Sequence, residues 1–272
     1  MKKTIRLIAI LLTAGLVLAT ASCATLLPGS TGIPLEGAWS YSYEDSAVED
    51  YYWLGLMFPE LKESQMTTLY EYVEKSVMEE AISDIISSFT LEFDEEGNAT
   101  SVVDPEKFIA AKVSVFKKLL DVAENTDPSE YGKILSAAGY DVNDNELATY
   151  LSVGGDFLKG FVKSVAKRYV EDAEAQTPES VAISFGSTVR EDGLISASTA
   201  TYDLSGKTLT ITTAYSGVYT VTLDYDKAYK DGVLTVGKIT YSGPGSTIEN
   251  QVDEISMLRI HDGMALEKAA AR

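Results

Sequence analysis

From Val181 onward the chain runs through five closely spaced segments of alternating character. They are "VAISF", "LISASTATYDL", "KTLTITTA", "GVYTVTLDYD" and "GVLTVGKITYS", separated by Gly, Asp and Ser turns. Alternation at period two sends successive side chains to opposite faces of a strand, one set buried and one wet. In "GVYTVTLDYD", Tyr219, Val221, Leu223 and Tyr225 share a face, and Thr220, Thr222 and Asp224 share the other. Parallel pairing needs crossovers of a dozen residues or more, so turns this short impose antiparallel pairing. The expected architecture is a barrel, a rolled sheet or a sandwich. "EISMLRI" reads as a last strand, and residues 263–272 as a short tail with the character of a frayed helix.

Two strand-like stretches lie upstream among helices. "GAWSYSY" alternates Trp39, Tyr41 and Tyr43 with small residues. "FTLEFDEEGNATSVV" puts Phe89, Leu91 and Phe93 on one face, and Gly97-Asn98 signals a hairpin turn. Between them, Met66, Leu69, Val73, Val77, Ile82 and Ile85 fall at helical steps. Further helices are expected after Asp104, a natural N-cap with Pro105 behind it, after Asp127-Pro128, and from about Asn145 to Ala175. A strand and a hairpin left to themselves make a sheet of marginal stability. The economical reading is α+β: one β domain, residues 36–262, with helical insertions at about 59–88 and 104–175. A helical domain followed by a separate β domain is the alternative.

Cys23 is the only cysteine in 272 residues, so no disulfide forms within the chain and the core rests on apolar packing. It follows a basic front (Lys2, Lys3, Arg6), an apolar run from Leu7 to Ala19, and the small residues Thr20, Ala21 and Ser22. That is the layout of a signal peptide over residues 1–22. The segment resembles the lipobox of bacterial lipoproteins. The resemblance implies lipidation of Cys23, a tether over 23–35 and, because Ala24 rather than aspartate follows, an outer-membrane address. Removing residues 1–22 takes away three positive charges and leaves a net charge of −22. Such acidity excludes nucleic acid as a partner and disfavours lying flat on anionic lipid.

"GAW" at Gly37–Trp39 resembles the G-x-W motif that opens the first strand of lipocalins. In that family a basic residue near the end of the last strand packs across the tryptophan. The resemblance implies a lipocalin-like barrel with Arg259, in "MLRIHD", stacked on Trp39 as a structural plug.

Little in the sequence carries chemistry. His261 is the only histidine, and no nucleophile elbow, phosphate loop or zinc motif is present. "DVNDNE", Asp141 to Glu146, begins like a calcium loop but lacks glycine at the sixth position and glutamate at the twelfth. No cofactor or metal is expected, and no enzymatic role, although 41 acidic residues leave a carboxylate-dependent hydrolase open. The densest apolar cluster is "DYYWLGLMFPE", with Tyr51, Trp53, Met57 and Phe58. These residues either bury themselves between sheet and helices or wall a site for a small apolar or amphipathic ligand. The sequence therefore predicts a lipid-anchored, non-enzymatic binder of such a ligand. The alternative is a lipoprotein without a ligand cavity that contacts another envelope or host protein.

Overall fold

The structure is a computed structural model that describes residues 35–42, 53, 55–56, 75–127, 130, 155–214, 217–223, 229–243, 250–252 and 254–269. It is a mixed α+β protein, with a large curled antiparallel sheet forming a half-barrel and four helices among the described residues. The strands are β1 (Gly37–Tyr41), β2 (Phe89–Phe93), β3 (Asn98–Val103), β4 (Ile195–Ser205), β5 (Thr208–Thr213), β6 (Gly217–Thr222) and β7 (Tyr229–Lys230). They continue as β8 (Val233–Thr235), β9 (Lys238–Ser242), β10 (Asn250–Val252), β11 (Glu254–Ile255), β12 (Ile260–His261) and β13 (Ala265–Lys268). Eleven strands share one sheet in the order β10-β9-β6-β5-β4-β3-β2-β1-β13-β8-β7, and β11 pairs with β12 apart from it. Early strands and late strands thus lie in the same sheet: β3 pairs with β4, and β1 with β13.

The curl follows from one short connection. β8 and β9 stand eight places apart in the sheet order, yet only Val236 and Gly237 separate them. In a flat sheet strands so placed would be about 38 Å apart, at ~4.8 Å per strand. Two linking residues span roughly 10 Å. The sheet must therefore roll until its two ends approach. At the crossing, a Cβ on Gly237 would lie 1.6 Å from the carbonyl oxygen of Thr222 on β6. Only glycine lets the two backbones come this close.

The register puts Trp39 and Tyr41, Phe89, Leu91 and Phe93, Ile211, Val221, Ile239 and Leu266 on the inner face. All are buried in one continuous core. The segment Glu254–His261 lies across this face. A 3-10 turn at Ser256–Leu258 reverses it, and Ile255, Leu258 and Ile260 are buried. Inner-face side chains hold its backbone: Tyr41 Oη donates to the carbonyl of Leu258 (2.7 Å) and Ser198 Oγ to that of Met257.

The helices are α1 (Lys75–Ser87), α2 (Pro105–Asn125), α3 (Gly155–Glu174) and α4 (Pro178–Ser184). As the sequence indicates, Asp104 caps α2, its carboxylate accepting from the N–H of Lys107, with Pro105 in the first turn. α1 packs on α2 and on the β1–β2 pair, and α2 packs on α3. Phe108 of α2 and Phe185 after α4 meet Phe89 edge-on, at 5.8 and 6.1 Å between centroids, so the helices cover the Phe89 end of the half-barrel.

Four sequence expectations give way here, the first being that "GVLTVGKITYS" is one segment, where Val236–Gly237 divides it into β8 and β9. "VAISF" is not a strand but most of α4. Thr177 and Ser180 form a capping box and Pro178 sits at the first position, a local start signal that outweighs a short apolar alternation. "EISMLRI" is broken by the 3-10 turn into β11 and β12. The supposed frayed tail contains β13, a strand inside the sheet. Residues 145–154, the first turns of the third expected helix, lie outside the described residues, as does most of the expected helix after Asp127-Pro128.

Candidate functional site

Among the described residues, two constellations combine a cation with aromatic rings. The first is at Trp39, which is fully buried. Its indole N–H donates to the carbonyl of Leu35 (2.7 Å), and Tyr229 meets the ring edge-on. The ammonium of Lys268 stands 4.5 Å from the ring centroid and donates to the carbonyl of Glu36. Trp39 and Lys268 are register partners on β1 and β13, which places the ammonium across the indole. Gly37 has a positive φ of 107°, and a Cβ there would press on the Lys268 ammonium at 3.1 Å. The glycine of "GAW" thus serves both the positive φ at the start of β1 and the passage of the lysine. Burial pulls the Lys268 ammonium below its usual range, and the nearby Glu36 carboxylate opposes the shift.

The basic partner of Trp39 is therefore Lys268, where the sequence reading chose Arg259. The physical reason is the 3-10 turn. It removes Arg259 from the last strand and sets it in the left-handed region (φ 57°, ψ 37°) as the cap of that turn. The last strand is β13, and its basic residue facing the core is Lys268. The one local trace of it is in "ALEK", where Leu266 and Lys268 share a face once the segment is known to be a strand.

Arg259 builds the second constellation. Its guanidinium carbon lies 4.4 Å from the Phe89 centroid and 5.7 Å from those of Trp53 and Phe185. It joins three separate parts of the chain: β2, the segment at Trp53, and the end of α4. Trp53 is 2% exposed and packs edge-on against Tyr41 (5.8 Å) and Phe89 (5.2 Å). It is a core wedge between sheet and helices. Phe185 was not anticipated, because "VAISF" read as a strand. Tyr51, Met57, Phe58 and Cys23 lie outside the described residues, as does Asp141–Glu146.

His261 is on β12, with Nδ1 3.0 Å from the backbone carbonyl of Asp262. Among the described residues no group of three or more His, Cys, Asp or Glu side chains is gathered for a metal. The acidic turn after β2 is structural: the Asp94 carboxylate accepts from the backbone N–H of Asn98 (2.7 Å) and from its side-chain amide (2.8 Å), which holds Asp94 below the usual carboxylate range. Glu92 pairs with Arg190 at 2.9 Å, and Arg190 also with Asp192 at 2.7 Å, a clamp of the loop before β4 onto β2.

The chain matches no protein-family model, no curated protein and no solved structure.

Proposed function

We propose that this is a lipid-anchored protein of the bacterial envelope, tethered through Cys23 to the outer membrane, that works by contact with another envelope or host protein rather than by catalysis or carriage of a small ligand. One observation carries the choice between contact and carriage. A cavity large enough to admit water leaves accessible area on the side chains that wall it. Trp39, Leu91, Ile211 and Ile239 of the inner face, and Ile255 and Leu258 of the segment across it, retain none. Among the described residues, the protein's own Glu254–His261 segment takes the part of the concave face beside Tyr41 and Ser198, a space a lipocalin gives to its ligand.

Magnitudes favour a permanent filling over a detachable lid. Ile255, Leu258 and Ile260 bury about 1.5–3 kcal/mol each, an upper estimate of roughly 5–9 kcal/mol together. That is of the order of the whole stability of a domain. A lipocalin-like descent remains our reading of the fold, supported by the G-x-W start and by a basic residue of the last strand laid across the tryptophan. Ligand carriage by the Tyr51–Phe58 segment loses support from the burial of Trp53.

Metabolic labelling with palmitate tests the anchor. The wild type incorporates label and Cys23→Ala does not; equal label in both refutes it. Crosslinking on intact cells tests the mode of action, with one recurrent protein adduct expected and only self-adducts counting against it.

A further inference from the structure

We infer that the fold postpones closure of its own sheet until β13 arrives, and that this delay keeps the chain threadable during export. The export part rests on the signal-peptide reading above; the closure part does not. β13 stands between β1 and β8 and pairs with both: Tyr41 and Leu234 are each register partners of Leu266. Its closing contact, Lys268 to Glu36, spans 232 residues of sequence.

Without β13 the sheet falls into two parts. One runs from β10 to β1 and keeps its local hairpins. The other is β8 with the two-residue β7, a ribbon that does not hold together in water alone. Trp39 then loses the lysine over its ring, and Leu234 loses its partner Leu266, itself buried at 1%. The Val236–Gly237 crossing also loses an anchor, because Val236 N–H donates to the carbonyl of Met264 (2.7 Å) just before β13. The Gly237–Thr222 crossing rolls the sheet without β13, but among the described residues the pairings that join β1 to β8 wait on residues beyond 263. Pairings of such long sequence separation form late, since the loop must close before the contact rewards it. Hairpins β2–β3 and β4–β5–β6 can form early and still leave the chain open.

The test blocks export in cells, lets full-length precursor accumulate for varied delays, and then releases the block. Leu266→Pro removes both a ladder donor and the buried side chain, and Leu266→Asp is a second variant that keeps the N–H. Wild-type precursor closes its sheet during the delay and its exported fraction falls by about fivefold or more, while both variants stay within about twofold of their undelayed value. Equal decay, fast or slow, in wild type and variants overturns the inference. Precursor that is not exported even without delay refutes the export reading instead. In that case refolding of the full-length wild type with pulsed hydrogen exchange still decides closure. Amides of β1, β8 and β13 gain protection together in the last phase if the inference holds; protection of β1 well before β13 sinks it.

Discussion

Gly237→Ala is the substitution that probes the roll of the sheet. The added methyl would sit 1.6 Å from the Thr222 carbonyl oxygen, 2.5 Å from its carbonyl carbon and 3.1 Å from Leu223 Cα. All three are backbone atoms of the β6 segment, so no side chain can swing aside. Ordinary contact needs about 3.4 Å, so β6 and the crossing must separate by well over 1 Å. Overpacking in a core usually costs about 1–3 kcal/mol with flexible neighbours. Against rigid backbone the cost should reach the top of that range or exceed it. The displaced strands also carry buried Val221, Leu223, Val236 and Ile239. For a chain of this size about 3 kcal/mol lowers Tm by roughly 6–12 °C. The assay is thermal and urea unfolding followed by far-UV circular dichroism. Gly160→Ala is the control: it lies inside α3 with nothing within 4 Å of its Cβ, and should stabilise by about 0.8–1 kcal/mol. Gly237→Ala within about 0.5 kcal/mol of wild type would refute the close crossing and, with it, the argument for the curl.

Three further outcomes are expected. Trp53→Ala should cost about 3–5 kcal/mol in urea unfolding, as for a core tryptophan; a loss under about 1 kcal/mol would return Trp53 to the surface. Lys268→Met keeps the aliphatic stem but removes the charge over Trp39 and the donor to Glu36, so stability should fall by about 1 kcal/mol; no change would leave Lys268 outside the plug. For Asp94 the folded state favours the carboxylate, so the unfolded chain binds more protons between the folded pKa and the ordinary aspartate value of 3.8. Wild type should therefore exceed Asp94→Ala in Tm at pH 6, with an advantage that shrinks as pH falls below 3.8 through the folded pKa. An advantage independent of pH down to 2 would assign the effect to the turn geometry alone.

What could be read from the sequence was the part written in local pattern. The face of Phe89, Leu91 and Phe93, the hairpin at Gly97-Asn98, the cap at Asp104 and the meander through β4, β5 and β6 are each set by residues within a few positions of one another. The failures are of another kind. "VAISF" has the alternation of a strand, and only the four residues before it, Thr177 to Ser180, say helix. β13 hides because its inward position carries lysine, which an apolar pattern counts as surface; its ammonium reaches a carbonyl and a ring face, so the aliphatic stem can be buried. The split of "GVLTVGKITYS" into β8 and β9 depends on Gly237 meeting Thr222, a tertiary approach with no local signature. The same blindness put Arg259 on Trp39: strand order shows which basic residue is last only once the 3-10 turn and β13 are known.

The proposed mode of action requires an interior that the protein fills with its own chain. Native mass spectrometry of residues 24–272, purified without detergent or denaturant, tests this directly. It predicts a single species at the mass of the polypeptide, and an empty organic extract. A stoichiometric small molecule that survives purification and leaves on unfolding would contradict it.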